Sequence, residues 1–151
     1  MTPAAAITWA QRSRSLAIRL ASAAGAVRAR RLRLVADGGH LVWRHDGGDV
    51  VLERTRDDDV FLVPRPELDR FTLRFWRDDR GRIAYATHGP DWYAGPAYGG
   101  PAVFPPVPRA AELCGHYHTW SAWTSHLRVV ERRGALWLIA PWLEEPGGEA
   151  E

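Results

Sequence analysis

The chain has 151 residues, 46% hydrophobic and 25% charged, with a formal net charge of +2. That is the balance of one ordinary globular domain, not of a disordered segment. All twenty basic residues are arginine, and asparagine is also absent. This excludes a lysine Schiff base, a Walker-type phosphate lysine and a Ser-x-x-Lys acylation pair.

Charge is unevenly spread. Residues 1–36 carry seven arginines and no acid, whereas residues 37–151 carry thirteen arginines against eighteen acids. The chain therefore reads as a basic leader on a mildly acidic body, which argues against a nucleic-acid partner for the body. The single Cys114 allows no internal disulfide, so the fold must rest on its core. The longest apolar run, Ala135 to Leu143, contains Pro141 and is far shorter than the ~20 residues of a membrane span. Arg12, Arg14 and Arg19 interrupt the leader's apolar stretch, so no secretory signal is expected, and a cytoplasmic location follows.

The leader, residues 1–30, admits two periods. Leu16, Leu20, Ala24 and Val27 share a helical face, while Leu16, Ile18 and Leu20 alternate as in a strand. Its alanine content favours helix. From Arg31 the period becomes two, and residues 31–93 read as an antiparallel β unit of six short strands. Leu32 and Leu34 lead to the turn Asp37-Gly38-Gly39. His40 to Arg44 return, and Asp46 to Asp49 turn again into Val50 to Arg54. Asp57, Asp58 and Asp59 precede Val60 to Val63, and Pro64 and Pro66 break the chain. Phe71, Leu73 and Phe75 face one way and Thr72, Arg74 and Trp76 the other. Ile83, Tyr85 and Thr87 are expected on the inner face of the return strand, and Gly89-Pro90 is expected to end the meander. Trp76 is a candidate contact for a partner domain.

Residues 94–114 are rich in Gly and Pro and read as an extended linker, with Val103 and Phe104 pinned onto the body. Residues 115–143 hold a hairpin, in which Leu127 and Val129 alternate with Arg128 and Val130 before the turn Arg132-Arg133-Gly134. Residues 144–151 read as a frayed tail. The segment Leu32 to Leu41 aligns without gaps on Leu127 to Leu136 at an offset of 95 residues. This reads as an internal repeat whose second copy is truncated, leaving an open sheet edge that needs cover.

The order Arg80-Gly81-Arg82, His88-Gly89-Pro90-Asp91-Trp92-Tyr93, Gly95 to Pro101, Gly115-His116-Tyr117, Leu127 to Val130 and Arg133 to Leu136 carries a resemblance across residues 31–143. It resembles the C-terminal, lipocalin-like β-barrel region of bacterial serine hydrolases of the class C beta-lactamase/penicillin-binding-protein type. Where that pattern has tyrosine-arginine, this chain has Tyr117-His118, and where it has asparagine-proline-tryptophan, this chain has Ser121-Ala122-Trp123. The Ser-x-x-Lys, Tyr-x-Asn and Lys-Thr-Gly elements of the catalytic domain are absent. The resemblance implies a mainly β fold: an antiparallel meander closing into a small barrel or curved sheet. It also implies a non-catalytic accessory module that packs against a hydrolase domain or gates its substrates. The expected partner is that catalytic domain, or a second copy completing the sheet. No cofactor is expected.

Three sets of residues carry other readings. Trp92, Tyr93, Tyr117, Trp120 and Trp123 could wall a pocket for a small apolar ligand in a stand-alone binding module, or could plug the barrel. His116 and His118 sit at the i, i+2 spacing that puts two imidazoles on one strand face, with His126 or Glu112 as a third metal ligand. Ser121, Ser125 and Cys114 lie near histidines, but no motif supplies an orienting acid, so an independent active site is not expected. His40 and His45 read as surface residues.

Overall fold

The computed structural model describes residues 16–19, 31–118, 120, 126–140 and 143–146. The fold is mainly β, as alternation predicts. Seven strands, β2 (Arg31–Asp37), β3 (His40–His45), β4 (Gly48–Arg54), β5 (Val60–Leu62), β6 (Leu73–Arg77), β7 (Ile83–His88) and β8 (Asp91–Ala94), follow one another as an antiparallel meander that curls on itself. A short strand, β1 (Leu16–Arg19), runs beside β2 through four residue pairs. It reaches β8 through one pair, Arg19 with Ala94, and so closes the barrel. After the segment 95–109 and the one-turn helix α1 (Ala110–Leu113), a second antiparallel sheet follows. It consists of β9 (Gly115–His118), β10 (His126–Arg132), β11 (Ala135–Ala140) and β12 (Leu143–Pro146), in the order β12-β11-β10-β9. Among the described residues no helix is long and apolar enough to cross a membrane.

Leu32, Leu34, Trp43, Val50, Leu52, Phe61, Leu73, Phe75, Ala86 and Tyr93 point inward and fill the barrel, as the period of two dictates. Trp43 stands edge-on to His88 at 5.2 Å and to Tyr93 at 6.5 Å, and Phe61 and Phe75 meet edge-on at 5.7 Å. His88 is buried among these rings. Its Nε2–H donates to the Leu68 carbonyl at 2.9 Å, because a carbonyl can only accept.

Several expectations are corrected. The leader is not helical over Leu16–Arg19: there its backbone pairs with β2, and sheet pairing overrides the alanine propensity. The rest of the helix expectation, including Leu20, Ala24 and Val27, lies outside the described residues. Gly89-Pro90 does not end the meander. It forms the tight turn between His88 and Asp91, and β8 is the strand that sequence reading misses. Tyr85 and Thr87 face away from the barrel interior. The register shifts between Trp76 and Arg77, so Ile83 packs on the core while Tyr85 lies opposite Trp76 on the outer wall. The C-terminal part is a four-stranded sheet and not a lone hairpin. Residues 144–146, expected to fray, belong to β12, which pairs with β11 and lies at the edge of the sheet, where a terminal proline is tolerated. The linker contains α1, and of its two expected anchors Phe104 packs on Trp92 at 5.5 Å while Val103 stands exposed.

The two segments that align in sequence fold alike. Gly38 and Gly39 join β2 to β3, and Arg133 and Gly134 join β10 to β11. All four have positive φ (53°, 84°, 56° and 71°), as a two-residue hairpin turn of this twist requires. Arg133 takes the left-handed conformation at a position where a glycine would bear none of its strain.

Gly89 also has a positive φ, of 58°. A Cβ placed there would lie 2.4–2.7 Å from three ring atoms of Phe71. Gly89→Ala is therefore expected to destabilise the protein by about 1–3 kcal/mol through backbone strain and displacement of Phe71. A urea melt with an unchanged slope and a lowered midpoint is the checking measurement.

Candidate functional site

The outer wall of β6, β7 and β8 is aromatic, and the second sheet is seated on it. Trp76 stacks on Tyr85 at 5.6 Å, donates its indole N–H to Thr87 Oγ1 at 3.0 Å, and meets Trp137 of β11 edge-on at 5.8 Å. The partner of the Trp76 patch is thus supplied by the chain itself. Arg132, 1% exposed, holds its guanidinium 4.0 Å from the Trp137 ring centre and donates from Nη1 to the Gly89 carbonyl at 2.9 Å. Its neighbour Arg133 lies 4.1 Å over Tyr85, with Trp92, Tyr98 and Phe104 all within 5.6 Å. Four ring faces around one guanidinium make a favourable electrostatic nest, which offsets the strained backbone of Arg133. Burial pushes the Tyr85 phenol above its ordinary pKa, and the adjacent Arg133 charge pulls the other way.

These two arginines are the junction residues that sequence reading misses, since Arg132-Arg133-Gly134 reads only as a turn. The available signal was the alignment itself, which sets Arg133 against Gly38. A charged residue at a position built for glycine calls for a compensating contact.

Among the described residues the predicted aromatic set does not converge on one cavity. Tyr93 fills the barrel interior, whereas Trp92, next along the strand, points to the outer wall under Phe104 and Tyr98. Successive strand residues face opposite ways, so these two cannot wall one cavity. Tyr117 is exposed on β9, its hydroxyl donating to the Leu113 carbonyl at 2.6 Å, and Trp120 stands fully exposed. Trp123, Ser121 and Ser125 lie outside the described residues.

The histidines do converge. His116 and His118 are alternate residues of β9, and the register sets His126 of β10 directly opposite His118. One donor atom from each of His116, His118 and His126 lies within 4.8 Å of the other two, and all three residues are exposed. The closest approach is 3.3 Å, from His126 Nδ1 to His116 Nε2. The other third ligand considered, Glu112, is instead ion-paired with Arg109 at 2.7 Å.

Arg128, two residues from His126 on the same strand face, holds its guanidinium 5.5 Å from the Phe71 ring centre. The cluster sits beside an open groove of about 470 Å³ between barrel and second sheet, lined by Phe71, Pro90, Cys114, His116, Arg128 and Val130 among others. Desolvation, then the positive charge of Arg128, holds the His116 pKa below its ordinary value. His40 and His45 are exposed and lie apart from this cluster, as expected of surface residues.

No protein-family model, curated protein or solved structure matches the chain.

Proposed function

We propose that this chain is a non-catalytic β module of the kind found at the C-terminal end of class C beta-lactamase-type serine hydrolases, acting as a packing or substrate-gating body beside a catalytic domain. What carries the reading is the filled interior together with the covered aromatic wall of β6 to β8. The interior is filled by Trp43, Phe61, Phe75, His88 and Tyr93, and the aromatic outer wall is taken by the chain's own second sheet. A body so filled offers rigidity and surface, not a lumen. The matching hairpins at Gly38-Gly39 and Arg133-Gly134 support an origin by duplication, as in a barrel repeat.

The alternative, a stand-alone module holding a small apolar ligand against Trp92, Trp120 and Trp123, has less behind it. Trp92 is 2% exposed and Trp120 is wholly in solvent.

Mixed with a separately expressed catalytic domain of that hydrolase type, the chain is expected to change KM for bulky lactams and leave small ones near their starting value. An unchanged KM for both overturns the reading. So does turnover of a chromogenic cephalosporin or a nitrophenyl ester by the chain alone. A saturable change in tryptophan emission on adding fatty acids establishes the binding module in its place.

A further inference from the structure

We infer that His116, His118 and His126 form a binding site for one divalent first-row transition-metal ion of the zinc type, independent of the accessory-module reading. The argument begins with backbone register. β9 and β10 are paired at His118–His126 and at Tyr117–Leu127, so three imidazoles project from one face of a hydrogen-bonded ribbon. The strands fix the three Cα positions, and a metal has only to select side-chain rotamers.

The spacing agrees with the ion's demands. Zinc–imidazole bonds of about 2.0–2.1 Å at tetrahedral angles put neighbouring donor nitrogens about 3.3 Å apart. His126 Nδ1 and His116 Nε2 already stand 3.3 Å apart. The His118 donor is within 4.8 Å of both, and its ring is exposed, so a change of rotamer is all that full coordination asks of it. Two imidazole nitrogens this close cannot both present lone pairs without repulsion, so a proton or a cation must lie between them.

Donor type selects the ion. Imidazole suits Zn²⁺, Co²⁺, Ni²⁺ and Cu²⁺, while Ca²⁺ and Mg²⁺ require oxygen ligands, and the cluster contains no carboxylate. Neutral imidazole is the ligating form, so binding is expected to weaken as the pH falls and the ligands take up protons. Three protein ligands leave a coordination position for water or an added ligand, which is the composition of an open site and not of a closed structural one. His116 lines the groove between the sheets, so that position lies next to a cleft with the apolar groups Phe71, Pro90 and Val130.

The test is titration of the whole chain with Co²⁺, followed by displacement with Zn²⁺. The expected result is saturation at one equivalent with the intense visible bands of four-coordinate cobalt, abolished by Zn²⁺. Affinity is expected to fall at least about tenfold in His118→Ala and in His126→Ala, each an exposed residue whose loss leaves the core intact. His40→Ala/His45→Ala is expected to bind as the wild type does. Absence of saturable binding overturns the inference, as does binding that survives unchanged in both cluster variants or that is equally lost in His40→Ala/His45→Ala.

Discussion

Trp43→Ala is expected to destabilise the protein by about 3–5 kcal/mol, among the largest effects of any single side-chain truncation in the chain. Trp43 is 4% exposed at the centre of the barrel, where it touches rings contributed by β7 and β8. Removing the indole leaves a void that Leu34 and Val50, its cross-strand neighbours, are too short to fill, and backbone pairing on both sides prevents the strand from collapsing into it. Thermal unfolding followed by circular dichroism is expected to move down by about 10 °C or more. Trp43→Phe, which keeps an aromatic ring and creates a smaller cavity, is expected to lose less than half as much. Equal midpoints for Trp43→Ala and the wild type would mean that the barrel interior is not the seat of stability.

Arg132→Ala is expected to be the second large loss, at about 2–4 kcal/mol. The guanidinium is buried at the junction of the two sheets, with one N–H on the Gly89 carbonyl and its face on Trp137. Truncation leaves the buried Gly89 carbonyl without that donor and Trp137 without its packing partner. Arg132→Met separates the two contributions: it restores volume against Trp137 but not the hydrogen bond, and is expected to recover about half of the loss. Near-ultraviolet circular dichroism reports the indole environment directly. The Trp76–Tyr85–Trp137 signal should weaken in Arg132→Ala while the far-ultraviolet strand signal persists. A variant with both signals intact and an unchanged midpoint would show that Arg132 does not hold the sheets together.

Much of this architecture is legible from alternation and turn residues. Leu32/Leu34, Val50/Leu52 and Leu73/Phe75 sit inward as their period dictates, and the glycine turns at 38–39 and 134 fall in place. The failures have local causes. β8 escapes sequence reading because Gly-Pro is an ordinary terminator, yet Gly89 takes the left-handed φ of a tight turn. The register shift turns Tyr85 to the face opposite the one alternation from Ile83 predicts, since one displaced residue reverses the assignments beyond it. β1 is four residues long inside an alanine-rich stretch, where propensity and pairing disagree.

The site was half legible. His116 and His118 announce themselves by spacing, but choosing His126 over Glu112 needs the pairing of β9 with β10 across seven intervening residues. The aromatic set is not legible for the opposite reason. Aromatic residues adjacent in sequence are not neighbours in space here, because a strand sends Trp92 and Tyr93 to opposite sides.

The cylinder formed by β1 to β8 is thinnest at the seam between its first and last strands. β1 touches β8 through a single residue pair but β2 through four, so the ring is fastened like a clasp and not welded like a hoop. Denaturant or heat will part it there first, well before Trp43 or Phe75 is wetted. The opened form would keep the packed interior and the Arg132 junction, and would add the Arg19–Ala94 pair to the strand edges of β1 and β8 open to another chain.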